Sequence, residues 1–159
     1  MRLALYQPDI PQNTGTILRM AACLDVTVEV IGPAGFEMSD RALRRAGLDY
    51  IGSVEIIRHG SFTDFEAERR AAGRRLVLLT TVATLPYADF TFHAGDSLML
   101  GRESAGVPRS VHEAADARIL IPMKPGLRSL NVAVAAAMVL GEALRQTDRF
   151  PRVGRGVED

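Results

Sequence analysis

Residues 97–108 read SLMLGRESAGVP, and residues 118–139 read RILIPMKPGLRSLNVAVAAAMV. In each segment a short apolar run, 97–100 and 118–121, stops abruptly at a loop carrying Gly or Pro. Strands of a parallel sheet end in this way where their loops present backbone groups to a ligand. The second loop closes with Arg128-Ser129-Leu130-Asn131 and then passes into an Ala-rich stretch with helical character. Two neighbouring strand ends that open onto polar loops form a crevice. Apolar side chains and backbone amides there suit an adenosine-type ligand, with a few polar groups to orient it.

The same alternation of short apolar runs with amphipathic stretches extends outward over the chain. It predicts an α/β fold, a mainly parallel sheet flanked by helices. Strands are expected at 3–6, 26–31, 54–57, 75–80, 97–100 and 117–121, with 75–80 central. Helices are expected at 13–24, with Asn13 as its cap, and at 39–46, capped by Ser39. A third, with Thr63 and Glu66 as a capping box, should end near Gly73. A short helix begins at Pro108, and a last one spans 131–145. Residues 86–87 and those following read as a loop. The 159 residues suit one domain over 1–150, with a loose tail at 151–159.

Composition narrows the function classes. Hydrophobic residues make up 47% and charged residues 24%, as in globular proteins. Nineteen Lys and Arg balance nineteen Asp and Glu, which excludes a basic coat over the whole protein and confines any RNA surface to a patch. The only cysteine, Cys23, lies in an apolar stretch and is expected to be a buried structural thiol. His59, His93 and His112 lack ligand spacing, so no metal is expected, and they read as surface or partly packed residues. No leader pattern is evident, and no apolar run approaches the roughly 20 residues that span a bilayer. The expectation is a cytoplasmic protein with no membrane partner.

Gly101 and Gly106 invite comparison with a phosphate-binding loop. The Gly-Lys-Ser/Thr ending is absent, however, and Val107 and Pro108 stand in its place. Gly101 can equally serve a tight strand exit. Asn13 and Arg19, six apart, lie on different sides of a helix, consistent with a cap and a projecting side chain, or with a solvated charge at Arg19. Arg41, Arg44 and Arg45 share one helical face, either a phosphate contact or a solvated surface.

Four segments in order, YQPDIPQNTGTILRMA (6–21), GPAGFEMSDRALRRAGLDY (32–50), LMLGRESAGVP (98–108) and IPMKPGLRSLNVAVA (121–135), resemble the SPOUT class of knotted methyltransferases. Within it the chain is most similar to the tRNA (cytidine/uridine-2′-O)-methyltransferase family that modifies the wobble nucleotide, the TrmL or YibK-like group. The likeness runs to about residue 145. It implies a trefoil knot near the C-terminus, S-adenosylmethionine as cofactor, the tRNA anticodon loop as substrate, and a homodimer. Periodicity alone predicts an unknotted doubly wound sheet.

By this resemblance Arg19, Ser129 and Asn131 are the catalytic residues. Leu79, Gly101, Glu103, Ile121, Met123, Ser129 and Leu130 line the cofactor site. Asn13, Arg19, Arg41, Arg44, Arg45 and Arg128 meet RNA. The family usually carries Leu-Ser-Asn after the position that Asn131 matches, where this chain has Val132, Ala133 and Val134, a departure that bears on cofactor affinity. Two other readings remain open on the same scaffold: a ribosomal RNA 2′-O-methyltransferase, and a non-catalytic RNA-binding or assembly protein.

Overall fold

A computed structural model describes residues 1–39 and 51–152. Among these residues seven strands form one sheet: β1 (Arg2–Tyr6), β2 (Thr27–Ile31), β3 (Ile56–His59), β4 (Leu76–Leu79), β5 (Leu85–Pro86), β6 (Ser97–Leu100) and β7 (Ala117–Leu120). Their order is β3-β2-β1-β6-β4-β7-β5, and every pairing between them is parallel. Among the described residues, four helices flank the sheet: α1 (Pro11–Cys23), α2 (Phe62–Ala71), α3 (Arg109–Ala114) and α4 (Val132–Gln146).

Strand side chains alternate between two buried faces, as period-2 geometry requires. Leu3, Leu5, Val28, Val30, Val77, Leu98, Leu100 and Ile119 join Ile17, Leu18 and Ala21 of α1 and Ala136, Leu140 and Leu144 of α4 in one core. Ala4, Tyr6, Ile31, Leu76, Leu78 and Met99 meet Phe65 of α2 and Val111 of α3 in the other. Burying a side chain such as Phe65, fully enclosed here, contributes about 2–3 kcal/mol. Because Leu5 and Leu79 both pair with Leu100, and Leu79 with Ile119, β1, β6, β4 and β7 end level along one edge of the sheet.

Several local expectations need correction. Helix α1 starts at Pro11, whose fixed φ and missing N–H suit the first helical position, so Asn13 lies inside the first turn and is not the cap. Helix α2 is capped by Ser61, whose hydroxyl accepts the Asp64 amide at 3.2 Å. The Thr63–Glu66 box is not formed, and the Glu66 carboxylate accepts from Arg69 and Arg70 instead. Strand β4 is an interior strand, as expected, and it lies between β6 and β7, whose ends are therefore not direct neighbours. Residues 85–86 form a short edge strand on β7, where a proline costs no ladder bond, and a 3₁₀ turn follows at Tyr87–Asp89.

Cys23 is exposed, because the buried side of α1 carries Ile17, Leu18 and Ala21 and residue 23 turns away from it. His59 is buried edge-on to Phe65, 3.5 Å from the buried carboxylate of Glu29. The expected helix 39–46, beyond Ser39, and most of the expected tail lie outside the described residues. Among the described residues no helix is long and apolar enough to cross a membrane.

Candidate active site

The loops leaving β4, β6 and β7 enclose a cleft of about 630 Å³, which the start of α1 closes on one side. That volume lies within the range of small-molecule sites. Leu79, Leu100, Ile121 and Val132 give it apolar walls, while Thr80, Thr81, Ser129 and Asn131 supply polar groups.

The loop after β6 is built on two glycines. Arg102 and Gly106 form an antiparallel bridge, with the Arg102 amide donating to the Gly106 carbonyl at 3.1 Å and the Gly106 amide returning a bond at 2.8 Å. Gly106 has φ +65°, which a side chain resists. A Cβ on Gly101 would lie 2.8 Å from the Gly106 carbonyl carbon. The pair Gly101 and Gly106 therefore closes a tight strand-exit turn that holds Glu103 at the cleft wall.

Glu103 is the hub of the polar network. One carboxylate oxygen accepts the Asp9 amide at 3.1 Å, and the other accepts Asn13 Nδ2 at 3.2 Å. Burial pushes its pKa up, and the neighbouring Asp9 carboxylate adds to that rise. The Asp9 carboxyl is held well below the usual carboxylate range by hydrogen bonds from Glu103 and Ser104, with Arg102 beside it. Asn13 Oδ1 in turn accepts from Asn131 Nδ2 at 2.9 Å. Asn131 then caps α4, its Oδ1 accepting the Ala133 amide at 2.9 Å and the Val134 amide at 3.3 Å. Within the apolar run Val132-Ala133-Val134, the amides of the last two residues thus donate to a cap whose side chain is that of Asn131.

The structure brings most of the sequence-predicted residues together. Leu79, Gly101, Glu103, Ile121, Met123, Ser129 and Leu130 all line this cleft, with Asn13, Arg128 and Asn131. Arg19 does not. It is exposed on α1, six residues beyond Asn13 and outside the cleft lining. Arg41, Arg44 and Arg45 lie outside the described residues. Sequence reading missed Ile10, Thr80, Thr81 and His112, which also line the cleft, and Asp9 behind it. An acid between Pro8 and Pro11 was the available signal for Asp9, because a stiff segment holds a carboxylate in one place. Among the described residues no group of three or more His, Cys, Asp or Glu side chains could hold a metal ion.

Comparison with known proteins adds to this geometry. Residues 1–141 match the model of the SpoU rRNA Methylase family. A tRNA (cytidine(34)-2′-O)-methyltransferase of Beijerinckia indica subsp. indica is 63% identical over 151 residues, 95% of this chain and 94% of the relative. A solved structure described as "Structural insights into the 2-OH methylation of C/U34 on tRNA" matches with TM-score 0.84 and 40% identity, covering 91% of this chain and 94% of its own. The SpoU methyltransferase AviRb of Streptomyces viridochromogenes, solved in complex with the cofactor AdoMet, matches with TM-score 0.80 and 31% identity. That match covers 92% of this chain and 60% of AviRb.

Proposed function

The chain belongs to the SpoU rRNA methylase family, and from that premise we propose that it methylates the ribose 2′ oxygen of the wobble cytidine or uridine of tRNA, with S-adenosylmethionine as methyl donor. One observation carries the reading: the cleft at the ends of β4, β6 and β7, with Leu79, Gly101, Ile121, Ser129 and Asn131 on its walls. The relative from Beijerinckia indica and the solved structure on C/U34 methylation supply the substrate, and AviRb supplies the cofactor. The residues present fit that cofactor. Apolar walls suit an adenine ring, and the Ser129 hydroxyl, Asn131 amide and loop backbone suit a ribose and an amino acid end.

The bound cofactor supplies an electrophilic sulfonium methyl. The protein's task is to hold the weakly nucleophilic 2′ hydroxyl in line with that methyl and to receive its proton. Ser129 and Asn131 orient hydroxyl and donor. Both Glu103 carboxylate oxygens are engaged by Asp9 and Asn13, so Glu103 holds loop geometry rather than taking the proton. The Arg19 guanidinium offers only hydrogen-bond donors, so it positions the ribose and its phosphate. The 2′ oxygen's proton then leaves to an RNA phosphate or to water.

Arg19 lies outside the cleft of its own subunit, and this supports a homodimer in which Arg19 of one protomer serves the cleft of the other. Val134 and Met138, one turn apart on the Ala-rich α4, are 51% and 39% exposed, an apolar stripe suited to a two-fold contact. Arg128, with Arg41, Arg44 and Arg45, holds phosphates of the anticodon loop, whose single strand lets the wobble nucleotide be splayed out. We place the enzyme in the cytoplasm as one domain over residues 1–150. The C-terminal trefoil knot belongs to the same reading, supported by family membership.

Calorimetric titration tests the cofactor assignment. Heat is expected with S-adenosylmethionine or its demethylated product, in the absence of any divalent metal. No heat with either, together with binding of NAD or ATP, would overturn it.

A further inference from the structure

Asp9 is not part of the cleft lining, yet its carboxylate fastens three successive residues of the loop that forms one cleft wall. Its Oδ1 accepts the Glu103 amide at 3.1 Å, and its Oδ2 accepts from Arg102 Nε at 3.3 Å and from the Ser104 hydroxyl. Its own amide donates to Glu103 Oε2 at 3.1 Å, so Asp9 and Glu103 grip each other reciprocally. Asp9 is itself held from behind. The Gly35 amide donates to the Pro8 carbonyl at 2.9 Å, and a Cβ on Gly35 would fall 2.8 Å from the Asp9 Cβ.

The grip has a directional consequence. A carboxylate only accepts hydrogen bonds, so Asn13 must turn its amide nitrogen toward Glu103 Oε1. Its oxygen is thereby left to accept from the nitrogen of Asn131, and the oxygen of Asn131 is left to face the first amides of α4. Reversing either amide would set like groups against each other. The orientation of Asn131 is thus dictated from the far end of the relay.

We infer that Asp9 is a positioning residue, which by clamping residues 102–104 sets the orientation of Asn131 and the first turn of α4 at the cleft. The identity of what the cleft holds rests on the function proposed above, while the relay stands on geometry alone. Burial and Asp9 raise the Glu103 pKa, while bonds from Glu103 and Ser104 lower that of Asp9, so Asp9 is the carboxylate of the pair that stays ionised as the clamp.

Hydrogen exchange of the ligand-free protein tests the inference. In Asp9→Ala the Ala133 and Val134 amides should exchange about tenfold faster, while Leu98 and Met99 in β6 keep their protection. Asp9→Asn keeps an oxygen for the Glu103 amide but turns an NH₂ group toward Arg102, and should fall between Asp9→Ala and the wild type. It also serves if Asp9→Ala does not fold. With tRNA and cofactor, the variants should lose turnover by about tenfold at an unchanged KM for tRNA, because Asp9 lies behind the cleft lining and acts through Asn131. Unchanged exchange at Ala133 and Val134 in both variants would overturn the inference. Wild-type protein that shows the relay in exchange but transfers no methyl to tRNA would instead contradict the proposed function and leave the inference supported.

Discussion

Asn131 Nδ2 donates to Asn13 Oδ1 across 2.9 Å, joining the first turn of α1 to the cap of α4 over 118 positions of sequence. Asn131 spends its other polar atom on the α4 amides, so one residue both caps a helix and ties it to the loop network. The two roles are separable. Asn131→Ala should lose about 1–2 kcal/mol of stability from the missing cap. Asn131→Asp keeps the cap but sets a carboxylate oxygen against Asn13 Oδ1, so it should lose stability through that contact rather than through the cap, and still lose methyl transfer. Denaturant unfolding beside a transfer assay checks both, and full activity in Asn131→Asp would contradict the account.

Gly101→Ala tests the closed loop. The added Cβ meets the Gly106 backbone at 2.8–2.9 Å, which cannot move aside as a flexible side chain could. A loss of about 1–3 kcal/mol is expected from the forced shift. Cofactor affinity should fall with it, because the displaced segment carries Glu103. Calorimetry showing wild-type cofactor binding in Gly101→Ala would contradict this role for the loop.

Acid stability should report on Arg69, which is buried and grips Glu66 with bonds of 2.7 and 2.8 Å and Asp116 with one of 2.8 Å. Burial works to raise the Glu66 pKa, but the bonds from Arg69 and Arg70 outweigh it and hold the carboxyl below its ordinary 4.5. A carboxylate depressed in the folded state contributes fully above its unfolded pKa, and that contribution drains away as pH falls through the folded value. Wild-type stability should therefore decline from about pH 4.5 downward. Arg69→Leu should cost about 3 kcal/mol at neutral pH, because Glu66 is left with Arg70 alone and Asp116 loses its guanidinium partner, and should make the acid decline shallower. Chemical denaturation between pH 3 and pH 7 measures both.

Much of this architecture was legible in the chain, and the failures have physical causes. Alternating apolar runs and amphipathic stretches revealed the strands and helices because both faces of a parallel sheet are buried here. Helix starts were harder. Asn13 has the chemistry of a cap, but Pro11 at the first helical position fixed the start earlier and freed Asn13 for Glu103. Ser61 outcompeted Thr63 for a similar reason, lying one residue before the first helical turn. Strand order could not be read from periodicity, because β1 and β6 are far apart in sequence yet paired from Arg2–Ser97 to Leu5–Leu100. The same distance concealed the Asp9–Glu103 grip and the burial of His59 against Glu29. Arg19 took its catalytic role from resemblance, and the structure places it outside the cleft that Asn13 lines.

With the proposed homodimer, the placement of Arg19 outside the cleft predicts complementation between subunits. Arg19→Ala and Ser129→Ala homodimers should each be nearly inactive in transfer. Mixed dimers should recover activity, since one of their two clefts then pairs an intact Ser129 with an intact Arg19 from across the interface. Stable heterodimers without recovery would place Arg19 and Ser129 in the same subunit's reaction.

The central claim is settled most directly by locating the transferred methyl. Unmodified tRNAs and ribosomal RNA are incubated separately with the purified protein and labelled cofactor, digested, and mapped by mass spectrometry. The account predicts a single added methyl on the ribose 2′ oxygen of the wobble cytidine or uridine in tRNA, and none on ribosomal RNA. Methyl transfer to ribosomal RNA alone, or to a base atom instead of the ribose oxygen, would contradict it.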